Sequence, residues 1–227
     1  MSQPPSPLEV IEIETGPRPV ASVIVLHGLG ADGNDFVPMA QALDLEAVGP
    51  VRFVFPHAPV MPVTINNGWR MRAWYDIVGT DLQKREDEAG VRRSVDAIDA
   101  LLLREQERGI EAQRIVLAGF SQGCAMSLAT GLRHGRRLAG IAGLSGYLPI
   151  AGSLAAERHP ANADVPVFLA HGLNDDIVGI SRGRASRDAL QALGYPVEWH
   201  EFPIAHTVSM DEVAVLRVWL LARLATR

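Results

Sequence analysis

The sequence predicts an α/β fold with a mostly parallel central sheet and helices on both faces. Three observations carry this. Short apolar runs alternate with longer amphipathic stretches from one end of the chain to the other. The inner runs, at 20–26 and 115–120, are almost continuously apolar, as strands covered on both faces are. Strand–helix alternation of this kind favours parallel pairing through right-handed crossovers. With 227 residues, 48% of them hydrophobic, the chain suits one large domain over 8–227 rather than two small ones.

In order, residues 1–7 carry three prolines and read as a disordered lead-in, without the basic and apolar regions of a signal peptide. Residues 8–14 alternate in places, as an edge strand with one wet face does. After the turn at Gly16 and Pro17 come the first central strand, 20–26, and the glycine-rich loop 27–34. Asn34 or Asp35 is placed to cap a helix with Phe36, Met39, Ala40 and Leu43 on one face. Residues 51–56 form the next strand. From 57 to 81 no periodicity holds. Such an insertion serves as a lid or pocket wall, or as a surface loop tied down by Trp69, Trp74 and Tyr75. Residues 86–107 carry Val91, Val95, Ile98 and Leu102 as the stripe of a long helix that Gly109 closes. The strand at 115–120 runs into a small-residue helix at 124–132. Strands follow at 138–144, 165–170 and 197–202. A helix at 181–193 is stopped by Gly194, and Ser209 caps a last helix with Val213, Leu216, Leu220 and Leu224 inward.

The chemistry concentrates at 119–123, Gly-Phe-Ser-Gln-Gly. Between a strand and a helix, G-x-S-x-G is a nucleophile elbow. The hydroxyl of Ser121 needs a base, and the base needs an acceptor that fixes its tautomer. Ligands of open parallel sheets collect beyond the carboxyl ends of the strands, where the loops at 27–30, Ser121, Asp175 and His206 all fall. Of seven histidines, only His200 and His206 follow a plausible acid loop downstream of Ser121. His200 lies within a strand, whereas His206 lies just past it, free to turn toward Ser121. The acid is Asp175 or Asp176; Asp164 precedes its strand, at the wrong end. Oxyanion donors are expected from the backbone N–H of Gln122 and of Leu29. His27 reads as a brace of its loop, and Cys124 as packing. Gly28 and Gly30 lack the helix directly behind them that a dinucleotide site needs. His57, His134, His159 and His171 are too scattered for a metal site, so neither a metal nor another cofactor is expected.

A formal charge of -5 argues against a nucleic-acid partner. A single cysteine excludes an internal disulfide and fits a reducing, cytoplasmic setting. The longest weakly polar run, 138–152, is broken by glycines, Ser145 and Pro149, so no transmembrane segment is expected.

Taken in order, Leu-His-Gly-Leu-Gly-Ala-Asp-Gly-Asn-Asp-Phe from 26, Phe-Pro-His-Ala-Pro from 55 and Met-Arg-Ala-Trp-Tyr-Asp-Ile from 71 resemble the carboxylesterase and acyl-protein thioesterase (phospholipase/carboxylesterase) family of α/β hydrolases. So do the 119–123 motif, Leu-Ser-Gly-Tyr-Leu-Pro from 144, His171-Gly172 with Asp175, and His206. These pieces span nearly the whole chain. The resemblance implies the α/β-hydrolase fold, with Ser121 as nucleophile, Asp175 as acid, His206 as base, and Leu29 and Gln122 as oxyanion donors. It also implies a loop near 60–80 that shapes a hydrophobic acyl site, with Trp69, Met71, Trp74, Leu29 and Val178 as pocket candidates. The substrate would be a small-molecule ester or acyl compound, and a homodimer is common in the family. Two positions depart: many relatives carry proline where this chain has Asp176 and Gly179. The expected activity is that of a serine carboxylesterase acting on short- to medium-chain esters through an acyl-enzyme. The alternative is an acyl-protein thioesterase or lysophospholipase with the same triad. A fold kept only for ligand binding would be expected to have lost a triad member.

Overall fold

The computed structural model describes residues 7–79 and 86–225. Pro7 aside, the expected lead-in lies outside the described residues, as do the last two residues of the expected insertion. The central sheet contains β1 (Val10–Glu14), β2 (Ala21–Leu26) and β3 (Val51–Pro56). A separate two-stranded ribbon, β4 (Val60–Val63) and β5 (Trp69–Arg72), follows. The sheet then resumes with β6 (Ile115–Phe120), β7 (Gly140–Leu144), β8 (Val167–Gly172) and β9 (Val197–Phe202). Its spatial order is β1-β3-β2-β6-β7-β8-β9. Every neighbouring pair is parallel except β1 with β3.

The near-continuous apolar runs are explained by two cores, one on each face of the sheet. Ile24 and Leu26 of β2 and Ile115 and Leu117 of β6 enter one core. Val23, Val25, Val116 and Ala118, at the alternate positions, enter the other. The first core is closed by α2 (Glu88–Glu107), α3 (Gln122–Gly131), α4 (Ala151–Glu157) and α5 (Ile180–Ala192). The second is closed by α1 (Val37–Ala42) and α6 (Met210–Leu224). A strand whose two faces both meet helices has no solvent side to mark with polar residues.

Three local expectations are corrected, and one element is new. The stretch from 57 contains regular structure: β4 and β5 form an antiparallel hairpin, its turn passing through Asn67 with φ 56°. The helix after the glycine-rich loop is not capped by Asn34 or Asp35. Asp32 instead accepts from Asn34 N–H at 2.7 Å and starts a tight turn, so α1 begins only at Val37. α3 starts at Gln122, directly behind Ser121, rather than at Cys124. α4 was not anticipated; it follows Ile150, whose φ of 42° breaks the chain direction. Ser209 does cap α6, accepting from Glu212 N–H at 3.2 Å. Among the described residues no helix is long and apolar enough to cross a membrane.

Candidate active site

Ser121 sits between β6 and α3 with φ 56° and ψ -117°, a conformation that is strained for a residue with a side chain. The strain is held by packing. A Cβ on Gly123 would lie 2.0 Å from the Leu26 carbonyl oxygen, and one on Gly119 would lie 2.3 Å from the Gly123 carbonyl carbon. Only glycines let strand, turn and helix approach this closely. The Ser121 N–H is fixed by the Leu144 carbonyl at 2.9 Å.

The structure brings Ser121, His206 and Asp175 into one hydrogen-bonded line. His206 Nε2 is 2.9 Å from Ser121 Oγ, and His206 Nδ1 is 2.7 Å from Asp175 Oδ2. With the carboxylate ionised, Nδ1 carries the proton and donates it, leaving Nε2 to accept from the serine hydroxyl. Asp175 is aimed by its own turn: Oδ1 accepts from Ile177 N–H at 3.0 Å and Val178 N–H at 2.8 Å. Its side chain is fully buried. His171 lies beneath it, with Nε2 donating to the Val178 carbonyl at 2.6 Å. Burial pushes the His171 imidazole below its ordinary value and so favours the neutral form. Asp176 is exposed on the rim and makes no hydrogen bond to His206 among the described residues. His200 is turned to Glu198, at 2.8 Å.

Among the described residues, neither the Leu29 N–H nor the Gln122 N–H has a hydrogen-bond partner. The Gln122 amide is the first of α3, so it has no carbonyl one turn back to bond. Two free donors beside a serine hydroxyl can hold a developing oxyanion, and the helix dipole adds to their field. The loop that presents Leu29 is braced by His27. Its Nδ1–H donates to the Gly28 carbonyl at 2.7 Å, while Nε2 accepts from Ala58 N–H at 3.0 Å. Burial lowers the His27 pKa, in keeping with this neutral tautomer. Trp74 Nε1 donates to the His27 carbonyl at 2.9 Å. The Gln122 side chain clamps the same wall, accepting from Trp74 N–H at 2.9 Å and donating to the Tyr75 carbonyl at 2.8 Å.

Above Ser121 opens a cleft of about 850 Å³. Leu29 and Val178 line it, but the other three pocket candidates do not. Trp69 is 74% exposed on the hairpin. Met71 stands behind the lining, its sulfur 3.2 Å from Asn66 Nδ2. Trp74 is buried beneath the wall by the contacts just described. The apolar lining comes instead from Phe36, Ile65, Ile77, Phe120, Tyr147 and Val208. Four of these carried a signal in the sequence: Phe36 and Ile77 end the quoted runs from 26 and from 71, Phe120 lies inside the elbow motif and Tyr147 inside Leu-Ser-Gly-Tyr-Leu-Pro. Phe120 packs on both Phe36 and the His206 ring, with centroids 6.0 and 4.7 Å apart. Tyr147 shares a 2.7 Å hydroxyl bond with Tyr75. Among the described residues, no group of three or more His, Cys, Asp or Glu side chains could hold a metal ion.

Residues 8–222 match the Phospholipase/Carboxylesterase family. Relatives named acyl-protein thioesterase 1 are 33–42% identical. The one from Yarrowia lipolytica is 38% identical over 219 residues, covering 94% of this chain and 96% of its own. Among solved structures, SOBER1 of Arabidopsis thaliana has a TM-score of 0.86 at 29% identity, covering 90% of this chain and 99% of its own. Acyl-protein thioesterase 2 of Zea mays has a TM-score of 0.83 at 28% identity, covering 94% and 99%. The chain belongs to the phospholipase/carboxylesterase family of α/β hydrolases, and its activity is carboxylic ester hydrolysis of the acyl-thioesterase and carboxylesterase type.

Proposed function

We propose that this protein is an acyl thioesterase that takes acyl groups from cysteine thioesters through an acyl-enzyme on Ser121. The observation that carries the mechanism is the line Asp175–His206–Ser121 at the base of an apolar cleft. Ser121 Oγ attacks the acyl carbonyl as its proton passes to His206 Nε2. The carbonyl oxygen takes the negative charge and faces the N–H groups of Leu29 and Gln122. Collapse breaks the C–S bond, and the imidazolium protonates the departing thiolate. Water, deprotonated by His206, then attacks the ester on Ser121; the acyl C–O bond breaks, the imidazolium returns its proton to Ser121 Oγ, and the acid leaves. Asp175 stays ionised throughout and stabilises the imidazolium.

The sequence favoured short- to medium-chain esters. The thioesterase reading replaces that order because relatives of 33–42% identity are named for it. A cleft of about 850 Å³ also lies within the roughly 300–1,000 Å³ range of sites that enclose ligands of drug size. The same reading treats residues 8–227 as one hydrolase domain, with the hairpin and the segment after it as lid or pocket wall. It treats the protein as a cytoplasmic homodimer, with exposed Trp69 and Val60 as surface for a second copy to cover. The test is kcat/KM for an octanoyl-cysteine peptide, its octanoyl-serine counterpart, and p-nitrophenyl esters from acetate to laurate. The proposal expects the thioester to exceed its oxygen ester and the optimum to lie above butyrate. An optimum at acetate with no turnover of acyl-cysteine would return the assignment to a short-chain carboxylesterase.

A further inference from the structure

Arg182 lines the cleft from the first turn of α5, and the mechanism above makes no use of it. A cation at that end of a helix is opposed by the helix dipole, so its position is not explained by helix stability. Its guanidinium lies 4.2 Å from the centroid of the Tyr147 ring. Stacking of this kind occupies the flat face and leaves the N–H edges to donate. Tyr147 is bonded to Tyr75, and the Tyr75 carbonyl to the side chain of Gln122, next to Ser121. The guanidinium is thereby held at a set place relative to the nucleophile. Along the same helix, Arg184 pairs with Glu201 at 2.9 Å and Arg187 with Asp188 at 2.7 Å. Arg182 has no carboxylate within ion-pair distance among the described residues. Glu86, which shares its field, is tied to the Ile150 N–H at 2.9 Å.

We propose that Arg182 is a specificity-determining residue that reads an anionic group, a carboxylate or a phosphate, carried by the substrate. Asp35 and Asp176 line the same cleft and repel an anion elsewhere in it, which confines the anion to the Arg182 side. The inference rests on Ser121 acting as the nucleophile. It concerns which acyl compounds reach Ser121, not the chemistry performed there.

Two substrate pairs distinguish where the anion is carried. For the acyl side, the p-nitrophenyl monoester of adipic acid is compared with p-nitrophenyl hexanoate. For the leaving-group side, octanoyl-cysteine peptides with glutamates beside the cysteine are compared with the same peptides carrying glutamines. The readout is the ratio of kcat/KM, anionic over neutral, in the wild type, Arg182→Gln and Arg182→Glu. One of the two ratios is expected to fall about tenfold in Arg182→Gln, through KM, and to invert in Arg182→Glu. That same ratio falls in the wild type as salt is raised, which keeps the test intact if a variant does not fold. Ratios that stay within about twofold in both pairs, in the variants and across salt, overturn the proposal. If the wild type turns over neither member of either pair, the Ser121 reading fails and this one with it. Turnover with unmoved ratios defeats only the role of Arg182.

Discussion

Replacing Gln122 by alanine separates the two jobs this residue holds. Its backbone N–H stays in place as an oxyanion donor, while its side chain no longer bridges Trp74 N–H and the Tyr75 carbonyl. Both partners are in residues at most 3% exposed, so two buried backbone groups lose their bonds at once. An unpaired buried group costs about 1–3 kcal/mol. Gln122 borders the cleft, so water re-enters and each cost falls near the low end, giving about 2–3 kcal/mol together. For a chain of this size about 1 kcal/mol moves Tm by roughly 2–4 °C, so the variant should melt about 5–10 °C lower. Thermal unfolding followed by circular dichroism measures this directly. A Tm within about 2 °C of wild type would show that the clamp does not hold the wall, and the reasoning would be refuted.

Three further outcomes follow from the same contacts. Asp175→Asn should lower kcat by about 10³–10⁴-fold with a small change in KM, whereas Asp176→Asn should change it by less than about threefold. Equal losses in steady-state assays would contradict the assignment of the acid. Burial pushes the Glu212 carboxyl up to about 7, against the smaller opposing effect of the Ser209 backbone N–H. Its folded pKa lies above the unfolded value of about 4.3, so the stability it contributes is whole below that pH and lost as pH rises to about 7. Glu212→Gln removes this dependence and should gain about 2–3 kcal/mol on wild type between pH 5 and pH 8. An unchanged Tm difference between those two pH values would sink this prediction. Cys124 is buried, and desolvation pushes its thiol up to about 12, so iodoacetamide should label it only after unfolding. Rapid labelling of the native protein would contradict the packing described.

The parts legible in the sequence are those that one residue pattern dictates. Continuous apolar runs mark strands with two covered faces, and β2 sends Ile24 and Val25 to opposite cores accordingly. The elbow is legible because its two glycines meet a backbone demand set within five residues. What stayed open depends on direction and distance. Asp175 and Asp176 are separated only by the turn that ties Asp175 Oδ1 to two following N–H groups. Trp69 promised a pocket wall by its bulk. Trp69 opens the second strand of the ribbon and stands exposed there. The hairpin strands have four residues each and contain Pro62, too little for a period to show. The Gln122 clamp joins residues 47 and 48 positions apart, which no local pattern records.

The account stands on Ser121 as the residue that carries the acyl group. Reaction with a fluorophosphonate, read by intact mass and peptide mapping, tests this most directly. The prediction is one adduct per chain on Ser121, with neither adduct nor hydrolysis in Ser121→Ala, and labelling slowed by at least about 10³-fold in His206→Ala. An adduct on another residue, with Ser121→Ala still hydrolysing substrate at the wild-type rate, would contradict it.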